Sequence, residues 1–104
     1  MTTTIGRRTT LRAGTENDYE RTHATIPVEV ASALQASGVV SWRIWRDGRF
    51  LFHAVETSST YDEMIEAITS LGPVNVEWDD LVGSLLESTP GSDVILKQVW
   101  SLTG

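Results

Sequence analysis

Read for the spacing of its apolar positions, the chain separates into stretches of period two and stretches of period three to four. From Thr4 to Ala13, Ile5, Thr9, Thr10 and Leu11 alternate loosely with Arg7, Arg8 and Arg12, which predicts a first strand. Gly14-Thr15-Glu16-Asn17-Asp18 then opens a helix. Thr15 is placed to cap it, Asp18 to answer as the capping-box partner, and Glu16 and Asp18 to complement the helix dipole. Tyr19, His23, Ile26, Val30 and Leu34 follow on one helical face. One helix is therefore expected to about Ser37, stopped by Gly38 and kinked at Pro27, which has no N–H to give the carbonyl of His23.

Val39–Asp47 and Arg49–Glu56 alternate as two strands, and Asp47-Gly48 between them is a strong hairpin signal. Trp42 and Ile44 share one face of the first strand, Arg43 and Trp45 the other. A second helix begins at Thr60, with Glu63 as capping-box partner; it is expected to bury Tyr61, Met64, Ile68 and Leu71 before Gly72-Pro73 ends it. In a third helical segment Trp78, Leu81, Val82, Leu85 and Leu86 form an apolar stripe with Asp79 and Asp80 on the wet side. After the turn at Ser88–Ser92, Asp93–Leu102 alternates as a last strand. The order strand, helix, strand, strand, helix pair, strand suits an α+β domain over 1–104: a ferredoxin-like antiparallel four-stranded sheet with its helices on one face. Aromatic and aliphatic side chains on both faces of the hairpin strands imply a cover for the other face as well, and a second copy of the chain is the simplest one.

Composition narrows the function classes. The chain has 104 residues, 40% of them apolar, with four Trp and two Phe, enough for one modest core. It has no cysteine, which removes disulfides, thiol nucleophiles and thiolate metal sites. A net charge of −6 disfavours a nucleic-acid partner, and Arg43, Arg46 and Arg49 read as solvated charges near the hairpin. No apolar run is long enough to span a bilayer, and Met1–Gly6 is not a signal peptide, so a cytoplasmic location is expected.

Candidate chemistry centres on Tyr19 and His23, at i and i+4 on the first helix. Imidazole is the side chain best suited to give and take a proton near neutral pH, and a phenol one turn earlier can hold a ligand hydroxyl. Packing is the competing role for both. Trp42, Trp78 and Trp100 offer indole faces for a sugar, or core packing. Glu29 reads as a surface carboxylate, and His53 as structural or edge-exposed unless its strand face lines a cavity. No metal-ligand spacing, phosphate-cradling loop or nucleophile elbow is present.

The run Gly14–His23, with its acidic helix start and Tyr-x-x-x-His, resembles the opening of the L-rhamnose mutarotase family. The similarity continues through Ile26 and Glu29-Val30, resumes at Gly38–Asp47, then at Leu51-Phe52 with Val55-Glu56, and finally near Trp78. The resemblance implies a dimeric α+β barrel, formed when the sheets of two ferredoxin-like subunits pair, and a cofactor-free interconversion of the α and β anomers of L-rhamnose or a related pyranose. It makes His23 the catalytic acid/base, and Tyr19, Trp42, Glu77 and Trp78 sugar-binding residues. Three departures stand out. Trp42 replaces a tyrosine of the family, Glu77-Trp78 replaces a tryptophan pair, and Pro27 comes one place early, where the family has tryptophan. These leave two other classes open: another enzyme on the same barrel, such as a cofactor-less monooxygenase or cyclase, or a barrel that binds without turnover.

Overall fold

A computed structural model describes residues 2–102. The elements run β1 (Thr3–Thr10), α1 (Glu16–His23), α2 (Val28–Ala36), β2 (Val39–Asp47), β3 (Phe50–Thr57), α3 (Tyr61–Ser70), α4 (Val76–Leu85) and β4 (Val94–Leu96). The strands form one sheet in the order β2-β3-β1-β4 with every neighbouring pair antiparallel. This is the α+β, ferredoxin-like arrangement that the element order implies.

The register decides which side chains meet the helices. Ile5 pairs with Val55, Arg7 with His53 and Thr9 with Leu51, and across the hairpin Trp42 pairs with Val55 and Ile44 with His53. Because side chains alternate along a strand, all of these share the helix-covered face. Leu51, His53, Val55 and Thr57 are buried there in strict alternation with the less buried Phe50, Phe52, Ala54 and Glu56. Leu11, Tyr19, Leu51 and Leu85 make the core cluster, with Ile44 and Leu86 packed against it. Met64 buries α3 against the sheet.

Five sequence-based expectations are corrected. The first strand stops at Thr10, and Leu11 makes only an isolated bridge to Leu86. The long kinked helix is two helices: Ala24 closes α1, and Pro27, at φ −57° and ψ 138°, starts α2 from an extended conformation. A proline disfavours helical geometry in the residue before it, so a break replaces the kink. Thr15 caps nothing; its hydroxyl donates to the carbonyl of Arg12 at 2.8 Å and lies 3.2 Å from that of Leu85. The last strand is short, with only Val94–Leu96 paired, whereas 97–102 lie outside regular structure. Leu71 and Leu81, expected in the core, are exposed.

The remaining helix signals hold. The backbone N–H of Glu63 donates to the Thr60 hydroxyl at 3.1 Å, and that hydroxyl donates to the Glu63 carboxylate at 3.0 Å. At α4, the Asn75 side-chain oxygen accepts from the Trp78 N–H at 2.9 Å. The Asn75 amide in turn donates to Glu29 at 2.7 Å, joining α2 to the start of α4. Gly48, at φ 59°, turns the hairpin in the left-handed region where a side chain would be strained.

Candidate active site

Helix α1 delivers Tyr19 and His23 to one side, a turn apart. Their rings stack at a centroid distance of 4.0 Å and an interplanar angle of 22°. Trp78, from the first turn of α4, tilts against His23 at 5.2 Å and 54°. Tyr19 and His23 thus form a continuous aromatic cluster with Trp78. A gap of 4.0 Å admits no ligand between phenol and imidazole, so any ligand must meet His23 at the ring edge or on the Trp78 side. Nδ1 of His23 is buried and has no hydrogen-bond partner.

Burial sets the protonation of both groups. It pushes the His23 imidazole below the ordinary histidine range, against a smaller opposing effect of the Tyr19 carbonyl, so the ring is neutral near pH 7. Burial also pushes the Tyr19 phenol up to about 12, with the charge of Arg7 pulling the other way, so the phenol keeps its proton. The pair therefore offers a proton acceptor beside a hydrogen-bond donor.

The strands supply a second cluster on the same face. The Trp42 indole N–H donates to Nδ1 of His53 at 3.0 Å, and Nε2 of His53 lies 2.9 Å from the Thr9 hydroxyl. His53 is 8% exposed. Its pKa is pushed down to about 4, first by burial, then by the charge of Arg7 and, more weakly, of His23. Arg7 continues the row: its Nε and Nη2 donate to the Asp93 carboxylate at 2.8 and 2.5 Å, and Nη1 lies 3.4 Å from the Tyr61 hydroxyl.

Tyr19, His23 and Trp78 are thus brought into direct contact, whereas Trp42 contacts His53. Its indole N–H is occupied by His53; only its ring face remains. Glu77 is exposed. Trp100 is 74% exposed. Glu29 is the exposed surface carboxylate expected, but it holds Asn75. Two surface hollows lie elsewhere. One, of about 210 Å³, lies by Ala33, Ile68 and Val74, and the other, of about 320 Å³, by Gly6, Ala54 and Leu96.

Sequence reading missed Arg7, Thr9, Tyr61 and Asp93 as neighbours of the site. The signal existed in the alternation Ile5-Arg7-Thr9-Leu11, which sets a guanidinium among inward-facing positions. It was masked by Arg8 and Arg12, which break the alternation and make it loose. Among the described residues, no cluster of His, Cys, Asp and Glu is arranged to hold a metal ion.

A ferredoxin-like α+β fold with a neutral imidazole between a phenol and an indole defines the class: a small protein equipped for proton transfer on an organic ligand. The family model described as L-rhamnose mutarotase matches residues 4–102, and the chain belongs to that family, whose members are isomerases. Among solved structures, the chain is similar to an L-rhamnose mutarotase from Formosa agariphila, with 19% identity and a TM-score of 0.70 over 97% of this chain and 99% of that one. It is also similar to the tetracenomycin F2 cyclase of Streptomyces glaucescens, a type-II polyketide cyclase, with 14% identity and a TM-score of 0.65 over the same shares. No curated protein matches it significantly in sequence.

Proposed function

We propose that the chain interconverts the α and β anomers of L-rhamnose or a closely related pyranose, with His23 as the acid/base and no cofactor. The observation that carries this reading is the His23 imidazole, kept neutral by burial and held between Tyr19 and Trp78. Ring opening requires the anomeric hydroxyl to lose a proton while the ring oxygen gains one and the bond between that oxygen and the anomeric carbon breaks. Nε2 of neutral His23 accepts the first proton, and the imidazolium so formed passes it to the ring oxygen as that bond breaks; on closure at the other face of the aldehyde, Nε2 takes the proton back from that hydroxyl and returns it to the carbonyl oxygen. The protonated Tyr19 phenol donates a hydrogen bond to a sugar oxygen, and the Trp78 and Trp42 faces pack on its C–H groups. Glu77, exposed beside Trp78, stands at the rim, where it meets only a ligand group that projects outward.

A polar row of Arg7, Asp93, Tyr61 and His53 beside the aromatic rings supports a hydroxylated ligand over the oily aromatic substrate of a cyclase or monooxygenase. The lack of cysteine suits a reducing, cytoplasmic setting, and no helix is long and apolar enough to cross a membrane. The enzyme works as a homodimer whose subunits cover each other's open sheet faces, where Trp45 is 56% and Phe50 44% exposed.

Saturation-transfer NMR on L-rhamnose tests the chemistry. General acid–base catalysis typically contributes a factor of at least about 100, and His23→Asn is expected to lose about that much exchange with the fold retained. Exchange as fast as the wild type's in that variant would remove His23 from the mechanism.

A further inference from the structure

We propose that Arg7 and Asp93 together form a recognition site for two neighbouring hydroxyls of the sugar, and that their pairing restricts the enzyme to uncharged pyranoses. This rests on the mutarotase reading and names the substrate class that it takes.

The argument begins with position. Arg7 lies on β1, between β3 and β4, and faces the helix-covered side, where its side chain is only 24% exposed. A guanidinium turned inward from a central strand loses hydration, and a well-packed apolar pair in its place is often as stable or more so. Stability alone therefore gives no reason for an arginine here. Its surroundings do: Arg7 pairs across the sheet with His53, which holds the Trp42 indole, and Nη1 points at the Tyr61 hydroxyl. Arg7 thus extends the strand cluster of Trp42 and His53 towards Tyr61 and Asp93.

The hydrogen-bond inventory supplies the chemistry. Asp93 takes Nε and Nη2, leaving Nη1 with a single contact to Tyr61, at a length where a hydrogen bond is weak and easily replaced. The carboxylate oxygens of Asp93 keep lone pairs beyond those used by Arg7, and its side chain is 47% exposed. A free donor therefore stands beside a free acceptor. Two adjacent hydroxyls, each able to donate and accept, complement that arrangement. A sugar carboxylate does not, because the charge of Arg7 is already balanced and Asp93 would repel it.

The test uses the full chain with Arg7→Gln and Asp93→Asn. Anomer exchange by NMR gives kcat and KM, and tryptophan emission gives sugar binding independently of turnover. A hydrogen bond to a charged group is worth enough that Arg7→Gln should raise KM about tenfold or more, with kcat changed less than about threefold. Across singly deoxygenated pyranoses, the wild type should lose affinity for those lacking one of the recognised hydroxyls, whereas Arg7→Gln should treat these like the intact sugar. A merely structural arginine would weaken all analogues by one common factor, and that result overturns the proposal. A hexuronate should not compete in the wild type and should gain at least about tenfold in affinity in Asp93→Asn, where the guanidinium is no longer balanced. Equal competition in both proteins also overturns it. If the wild type binds pyranoses without exchanging them, the mutarotase reading alone fails and the binding comparison still decides the role of Arg7. If it binds none, both fail.

Discussion

An indole nitrogen can only donate a hydrogen bond, so the contact from Trp42 to Nδ1 fixes the tautomer of His53. Nδ1 must be bare, and the single ring proton sits on Nε2, facing the Thr9 hydroxyl. Protonating His53 would set two donors against each other, which agrees in direction with a pKa pushed down to about 4. The linkage follows. The folded protein favours the neutral ring, so this stabilisation is complete above the unfolded value of about 6.5 and is lost as pH falls from there towards 4. His23, shifted the same way, adds to the loss. We expect the wild type to lose on the order of 2–3 kcal/mol over this window through His53, measured by urea denaturation at several pH values. His53→Gln can keep both hydrogen bonds without titrating there, and its profile should be flatter; identical slopes would contradict the argument. Trp42→Phe should cost about 1–3 kcal/mol by leaving Nδ1 unpaired, and should raise the His53 titration midpoint seen by NMR of its ring protons. At this scale the sequence disclosed Tyr19 and His23, because helical spacing brings i and i+4 together whatever the rest of the fold does. It could not disclose Trp42 with His53 or Arg7 with Asp93, because strand register and the return of β4 create those pairs.

Helix ends show how local signals and tertiary demands divide the chain. Thr60 and Asn75 cap α3 and α4 because their side-chain oxygens reach an N–H three residues on, as the sequence of α3 anticipates. Thr15 carries the same signature but its hydroxyl turns to backbone carbonyls, with Leu85 packed nearby, so the local cap yields to the junction of α1 with α4. Strand alternation and the Asp47-Gly48 turn placed β2 and β3 well, since a half-buried hairpin is written in consecutive residues. The paired length of β4 was not legible, because alternation persists beyond Leu96 whether or not a neighbouring strand is there to bond. The cap of α4 also bears on the site, since the residue it binds is Trp78. Asn75→Ala should cost about 1 kcal/mol and, by loosening the first turn of α4, weaken sugar binding; denaturant unfolding and tryptophan emission measure the two effects. Asn75→Asp keeps the cap oxygen but replaces the donor to Glu29 with a second negative charge. It should be less stable than wild type, and Glu29→Gln in the same chain should recover part of the loss.

Across the whole molecule, the helices cover one sheet face and the other exposes large apolar side chains. Trp45, Phe50 and Leu96 are 56%, 44% and 40% exposed, and beyond β4 the segment 97–102 presents Val99 at 86% and Trp100 at 74%. A surface of this kind on a protein of 104 residues marks an interaction site. Its position argues for self-association: Trp45 and Phe50 lie on one sheet surface with Gly6 and Ala54, whose small side chains leave a hollow beside Leu96 that another apolar side chain can fill. Two such surfaces facing each other would bury both and complete each subunit's second layer. Light scattering at micromolar concentration should therefore give twice the chain mass, and the melting temperature should rise with concentration, because only association couples folding to the amount of protein. Trp45→Glu places a charge on that surface, on the sheet face opposite the one covered by the helices. It should give a monomer of lower, concentration-independent melting temperature. A Trp45→Glu protein that keeps the mass and melting behaviour of the wild type would show that the open face is not where the subunits meet.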